Sequence, residues 1–305
     1  ASLFWESQVY VAPKSDVLIV KLLKKIRKII SPAYRLIKTF YLRSKKGQIS
    51  NKSINVNENG FLYIVTGDGY AKECLFSIKS LKEHNTEKIC VFSEEKYRSM
   101  LEQECDYFFS INSKLQRPKV EYISQSPFEN TVYLDSDTFI NENISDLFQL
   151  LNRYDFGGVF CNARKRENYS KLISKYENIP YSFSEVNTGV MVFNNSVEVK
   201  DLFKKWNEYY YKYLPITTGW DQPSFRVALW ESTVRLCHLP PEYNVRPKSR
   251  YKKARDNKNT LGRLHMEPRI FHAHYSPVVH QGKFEVKTLS ELHKKMLELS
   301  VDIIY

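Results

Sequence analysis

Cysteine is scarce and unpatterned in this 305-residue chain. The five residues, Cys74, Cys90, Cys105, Cys161 and Cys237, are odd in number, widely spaced and never paired as CxxC. That argues against a disulfide framework and against a cysteine zinc site, and a reducing compartment is the simplest reading. Long apolar runs are missing as well. None reaches the roughly 20 residues needed to span a bilayer, and no signal-peptide pattern is visible. Acidic residues are absent between Val17 and Asn57. No internal repeat is present.

What remains is an ordinary globular composition, 42% hydrophobic and 26% charged, long enough for one large domain or two modest ones. A core of that size needs no covalent staple. The aromatic share, 14%, suits sugar or base stacking and equally suits core packing. The net charge is +12, and the acid-free stretch accounts for nearly all of the excess through residues such as Lys24, Lys25, Arg27, Lys28 and Arg35. Ser15 and Asp16 resemble a helix start. Leu18, Leu22, Ile26 and Ile29 then recur at helical spacing, and Ser31-Pro32 restarts the pattern. Residues 15–46 are therefore expected to form a basic amphipathic helical arm that binds an anionic membrane surface. A helix docked on the main domain with a solvated basic face is the competing reading. Nucleic acid is not expected, because no recognition motif accompanies the charge. The expected location is cytoplasmic, peripheral on the inner face of a membrane.

The segment Ser44 to Gly60 is polar and aperiodic and reads as a linker. The expected organisation is an arm and linker over residues 1–57, a catalytic domain over 58–282 and a C-terminal helix over 283–305. Leu289, Leu292, Met296 and Leu299 give that helix an apolar face. From Phe61 onward strand and helix patterns alternate, which predicts an α/β fold with a mainly parallel central sheet. "FLYIVTG", "KICVFS", "CDYFFSI", "NTGVMVFNN" and "RIFHAHY" read as strands. "AKECLFSIKSLKEH", "EEKYRSMLEQ", "SVEVKDLFKKWNEYYYKY" and "DQPSFRVALW" read as helices.

The most informative stretch is "TVYLDSDTFI", Thr131 to Ile140. A buried-looking strand ends in Asp135, Ser136 and Asp137. Ligands in open α/β sheets bind at the carboxyl ends of strands. Strand alternation points Asp135 and Asp137 the same way, a hard-oxygen pair suited to Mg2+ or Mn2+ with phosphate. The competing reading is a solvated turn in which Asp137 caps the next segment of the chain.

"TVYLDSDTFI" followed by "ISDLFQL" resembles the metal-binding region of nucleotide-sugar glycosyltransferases of the GT-A fold, and is most similar to the retaining glycosyltransferase family 8. Four further stretches occur in that family's order. "VTGDGYAKECLFSIKSL" resembles its first strand, turn and helix, which implies Tyr70 against the nucleotide base with Thr66, Gly67 and Asp68 around the nucleoside. "VNTGVMVFN" resembles its Asn-x-Gly strand and implies a role for Asn187. "GWDQPSF" resembles its Asp-Gln helix start, Asp221 and Gln222. "RIFHAHYS" resembles the late strand whose histidine completes the metal site. His272 fits the spacing, and His274, on the same face by alternation, is the alternate. Beyond the histidine this chain reads "HAHYSPVVHQGKF" where the family pattern ends in Lys-Pro-Trp.

The resemblance implies transfer of a sugar from a nucleotide diphosphate, UDP by preference, to a hydroxyl of a glycan or glycolipid acceptor, with retention. Asp135, Asp137 and His272 would hold Mn2+ or Mg2+. Lys119, Asp135 and Ser136 would meet the donor, and the basic segment Arg246 to Lys258 is a second source of cations. Asn187, Asp221 and Gln222 would sit near the reacting sugar. Asp221 is also a candidate helix N-cap, and as a carboxylate it could serve an inverting enzyme as base. Two other classes compete. A non-catalytic sugar-nucleotide-binding or scaffold protein would share these motifs. A DxD phosphatase shares "LDSDTF", but Phe139 stands where that motif has Thr or Val. A nucleotidyltransferase would need a Gly-rich signature that is absent.

Overall fold

The computed structural model describes residues 56–111, 117–161, 164–246, 268–273, 288–292 and 294, all within the unit Lys45–Tyr305. The arm at residues 15–46, the segment beyond Arg246, His274, Met296 and Leu299 lie outside them.

The described chain is a seven-stranded sheet with helices packed against it, plus a two-stranded sheet. The central strands are β1 (Val56–Val65), β2 (Lys88–Ser93), β3 (Tyr107–Ser110), β4 (Phe128–Leu134), β6 (Phe156–Phe160), β7 (Val186–Asn194) and β8 (Leu236–His238). Their order is β3-β2-β1-β4-β7-β6-β8. Strands β1 to β4 pair in parallel. β7 runs antiparallel to both β4 and β6, and β8 pairs in parallel with β6. β5 (Thr138–Ile140) and β9 (Ile270–His272) form the small antiparallel sheet.

The mainly parallel sheet is buried on both faces, which explains the continuous apolar runs of β1, β2 and β7. Phe61, Tyr63, Val91, Val132, Leu134, Val190 and Val192 are each almost fully buried. Helix α1 (Asp68–Lys82) follows β1 directly. Gly67, at φ 94°, makes the tight strand-to-helix turn that a side chain would strain. Ala71, Cys74, Ile78 and Leu81 then give α1 its buried stripe. Helix α2 (Pro118–Tyr122) starts on a proline, as its fixed φ favours. Helix α3 (Asp146–Leu150) follows β5.

The expected long helix is α4 (Val197–Thr217). Ser196 caps it by accepting from the Val199 amide at 3.3 Å. Thr218 (φ 53°) and Gly219 (φ 101°) end it in left-handed backbone, and the chain reverses into α5 (Gln222–Trp230). Leu292 is fully buried beside Phe139, Val245 and Phe271, so the described part of the C-terminal segment covers the small sheet.

Two expectations are corrected. The linker was expected to extend to Gly60, but Val56 to Gly60 belong to β1. Asn59 pairs with Asn130 across the sheet, and its side chain accepts from Asn130 Nδ2 at 3.0 Å. Pairing with β4 supplies order that the polar sequence did not advertise. The single helix expected from Glu94 to Gln103 is instead a short α-turn, Arg98–Leu101, flanked by 3-10 turns.

Candidate active site

The site grows out of the carboxyl end of β4. Leu134 is the last ladder residue, and the Asp135 amide still donates to Gly189 of β7 at 2.7 Å. The chain then turns, with the Thr138 amide and hydroxyl donating to the Asp135 carbonyl at 3.2 and 2.9 Å. β5 departs from that turn and pairs Thr138 with His272 of β9. Asp135 and Asp137 therefore converge through a tight turn, rather than through strand alternation as expected. The Ala273 amide donates to the Asp137 carbonyl at 2.9 Å and locks β9 beside it.

This pairing delivers His272 to the carboxylates. One ligand atom each from Asp135, Asp137 and His272 lies within 4.8 Å of the others. His272 Nε2 is 3.3 Å from Asp137 Oδ1 and 3.8 Å from Asp135 Oδ2. Its other nitrogen, Nδ1, lies 2.7 Å from Asn244 Oδ1. A proton on Nδ1 donated to that oxygen leaves the Nε2 lone pair facing the carboxylates, the arrangement metal-binding histidines require. Gly189 completes the cradle. A Cβ there would meet His272 Cε1 at 2.1 Å and Asp135 Oδ2 at 2.9 Å. Two carboxylates and one imidazole, aimed at one point with a glycine kept clear behind them, fit a divalent cation.

Lys119 of α2 joins this cluster to Asp221. Its ammonium lies 3.2 Å from Asp135 Oδ1, 3.1 Å from Asp221 Oδ2, and 3.1 and 3.0 Å from the Thr188 carbonyl and hydroxyl. Thr188 donates its hydroxyl to Asp221 Oδ2 at 2.9 Å. Burial opposes the Asp221 charge, yet Lys119 and Arg117 beside it, with the hydrogen bonds from Lys119 and Thr188, hold its carboxyl well below the usual range. Asp221 does occupy the N-cap position of α5, but its carboxylate makes no capping bond. Lys119 and Thr188 hold it instead, and the Asp221 carbonyl takes the first helical bond, from the Phe225 amide at 3.0 Å, and accepts from the Ser224 hydroxyl at 2.7 Å. Tyr133 donates its hydroxyl to Asp135 Oδ1 at 2.6 Å. Burial, with the Asp135 charge, pushes that phenol up and keeps it a donor.

A cleft of about 190 Å3 is lined by Asp135, Ser136 and Asp137 together with Thr66, Tyr70, Arg117 and Lys119. The expected residues divide accordingly. Thr66, Tyr70, Lys119, Asp135, Ser136 and Asp137 line the cleft. Gly67 and Asp68 are not among its lining residues. The Gly67 amide donates to Glu94 Oε2 at 2.8 Å, and the Asp68 carboxylate accepts from Tyr97 and Lys96. Asn187 is buried and uses its carbonyl to accept from the Gly189 amide at 2.9 Å, steadying the cradle glycine. Gln222 gives its carbonyl to Arg166 at 3.1 Å, and Arg166 in turn pairs with buried Glu185 at 3.0 Å. Lys119, expected to meet the donor, is largely spent on protein oxygens.

Sequence reasoning did not find Thr188, Tyr133, Asn244, Arg117 or Arg166. Tyr133 carried a signal, since it precedes Asp135 by two and shares its side. Arg117 stands two residues before Lys119 and also carried one. Asn244 carried none, because its pairing with His272 spans distant chain segments.

A profile of glycosyl transferase family 8 matches residues 120–275, just over half of the chain. The chain belongs to glycosyl transferase family 8. It is a glycosyltransferase, and its sheet has the GT-A form. An active-site mutant of LgtC superposes with a TM-score of 0.55 at 14% identity, covering 79% of this chain and 95% of that one. The galactosyltransferase LgtC in complex with donor and acceptor sugar analogs gives 0.52 at 14% identity, covering 80% and 96%. Mouse xyloside xylosyltransferase 1 gives 0.51 at 14% identity, covering 72% and 98%. No individual curated protein matches the chain.

Proposed function

We propose that this family member transfers a glycosyl group from a nucleoside diphosphate sugar, UDP by preference, to a hydroxyl of a glycan or glycolipid acceptor, with retention. The observation that carries the reading is the convergence of Asp135, Asp137 and His272, with Asp135 and Asp137 lining a cleft that Thr66 and Tyr70 also line. Asp135, Asp137 and His272 would hold Mn2+ or Mg2+. Such a cation, when bound, offsets negative charge on a departing diphosphate. The protein's own groups do the rest. Tyr70 offers an exposed ring to a base. Tyr133 and Lys119 fix the Asp135 carboxylate in one orientation. Asp221, with Asn187 and Gln222 close by in the chain fold, supplies a fixed negative charge beside the reacting sugar.

The state of Asp221 favours retention over inversion. An inverting enzyme needs a carboxylate that takes a proton from the acceptor, and efficient bases have pKa values near the working pH. Asp221 is held ionised far below that range by Lys119 and Arg117. It suits stabilisation of a cationic sugar centre better than proton abstraction.

The reading is tested by measuring nucleoside diphosphate release from a panel of nucleotide sugars with Mn2+, and the anomeric configuration of the product by NMR. Release that is insensitive to chelation, or an inverted product, contradicts the corresponding part. No helix among the described residues is long and apolar enough to cross a membrane. The arm at residues 15–46 is proposed to hold the enzyme on an anionic surface, which would bring a lipid-linked acceptor within reach.

A further inference from the structure

Among the described residues two cations line the cleft, Arg117 and Lys119, and their situations differ. Lys119 has three N–H donors. Five oxygens from Asp135, Thr188 and Asp221 already stand 3.0 to 3.3 Å from its nitrogen, and its side chain is 7% exposed. It has no hydrogen to spare for an incoming anion. The Arg117 side chain is 44% exposed, and its ion pair is one long contact, Nη2 to Asp221 Oδ1 at 3.5 Å. Charge-assisted bonds in a settled pair run shorter, about 2.7–2.9 Å. Asp221 keeps two shorter partners when that contact opens, since Lys119 and Thr188 hold its other oxygen at 3.1 and 2.9 Å. A guanidinium also carries five N–H donors in a flat fork that matches two oxygens of one phosphate.

We propose that Arg117 is a diphosphate-binding cation of the donor site. On donor entry it leaves its long contact with Asp221 and takes non-bridging oxygens of the phosphate bonded to the sugar. In the reaction the bond between the sugar carbon and the phosphate oxygen breaks. That oxygen keeps the electron pair, the acceptor hydroxyl oxygen bonds to the same sugar carbon, and the hydroxyl proton goes to the departing diphosphate oxygen, on which negative charge builds before the proton arrives. Arg117 transfers no proton and counters that charge. The inference rests on the nucleotide-sugar reading above. It adds a recognition element that the aspartate pair does not announce, and it releases Lys119 from the role expected for it. Lys119 becomes a positioning residue that bridges Asp135 and Asp221.

Calorimetric titration of the full chain with uridine, UMP and UDP in Mn2+ tests this, using wild type, Arg117→Ala and Arg117→Lys. Arg117→Ala is expected to weaken UDP by about tenfold or more, as loss of a charged hydrogen-bonding partner implies. UMP should lose less, and uridine should be unaffected. Arg117→Lys should fall between wild type and Arg117→Ala for UDP, because it keeps the charge and loses the fork. Unchanged melting temperatures would show that the variants remain folded. An equal loss across the three ligands overturns the inference. So does unchanged UDP affinity with a fall in turnover alone, which would assign Arg117 to holding Asp221. If the wild type binds none of UDP, GDP, ADP and CDP, the nucleotide-sugar reading fails and this inference with it. If it prefers another nucleoside diphosphate, the same series with that nucleoside decides.

Discussion

At the scale of residues, the site depends on which groups are allowed to sit close. Gly189 is the clearest case, because any Cβ there overlaps the His272 ring and crowds Asp135. Gly189→Ala is expected to lower Mn2+ affinity by roughly 10- to 100-fold, the range seen when groups supporting metal ligands are disturbed. Titration with Mn2+ followed by electron paramagnetic resonance would check it, and unchanged affinity would deny His272 a place in the site. Lys119 makes a second prediction. Lys119→Met leaves the Asp221 carboxylate buried without its nearest cation. Breaking a buried pair in this way costs about 3 kcal/mol or more, equivalent to a melting temperature roughly 6–12 °C lower for a domain of this size. The two aspartates of the DxD were legible because a strand that ends in carboxylates is chemically odd. Asp221 was legible as a residue and partly misread as a cap. A helix N-terminus attracts a carboxylate weakly, and the ammonium of Lys119 attracts it more strongly.

At the scale of elements, the strands with long apolar runs were readable and several of the others were not. β1, β2 and β7 announce themselves by apolar runs. β6, "FGGVF", hides behind two glycines, whose absent side chains make room for Val192 and Val186 of β7 at 2.8 and 2.5 Å from the missing Cβ positions. β5 and β8 are three residues each, too short for a pattern, and β5 exists because β9 pairs with it. His272 could thus be named from sequence as a candidate ligand, while the contact that carries it to Asp137 could not. The edge of the sheet also carries a pH dependence. Arg235, next to β8, donates to Asp155 through its backbone amide at 2.8 Å and its guanidinium at 2.7 Å. Those bonds, the guanidinium's first, draw the Asp155 carboxyl down to about 2. A carboxylate whose folded value is depressed contributes stability that is full above its unfolded value and is lost as pH falls through the folded one. The Asp155 contribution is therefore present above about pH 4 and disappears toward pH 2. Urea midpoints at about pH 5 and pH 2.5 should fall further for wild type than for Asp155→Asn. Equal falls would show that the Arg235 pairing is worth little.

At the scale of the whole molecule, an ordinary α/β sheet presents a site at one strand end, and a strongly basic arm precedes it in sequence. Fold class and enzyme class were both within reach of the sequence, because five motifs stand in one family's order. The polar cluster beside the cleft was only partly within reach, since Lys119, Thr188, Asp221 and Arg117 are assembled from distant parts of the chain. The arm makes its own prediction. Each basic residue near an anionic surface contributes about 1 kcal/mol, so replacing Lys24, Lys25, Arg27 and Lys28 by glutamine should reduce co-sedimentation with phosphatidylserine vesicles by roughly 100-fold or more at moderate salt. Undiminished binding would remove the arm from the account.

The most direct test of the central claim is UDP release from UDP-sugars by the full chain in Mn2+, comparing wild type with Asp137→Ala. Because Asp137 is one of three converging candidate ligands, the variant is expected to remain folded and to lose at least about 100-fold in rate, the scale of removing one electrostatic element of a transition-state site. Chelation of wild type should have the same effect. Release that persists in both Asp137→Ala and chelated wild type would contradict the account.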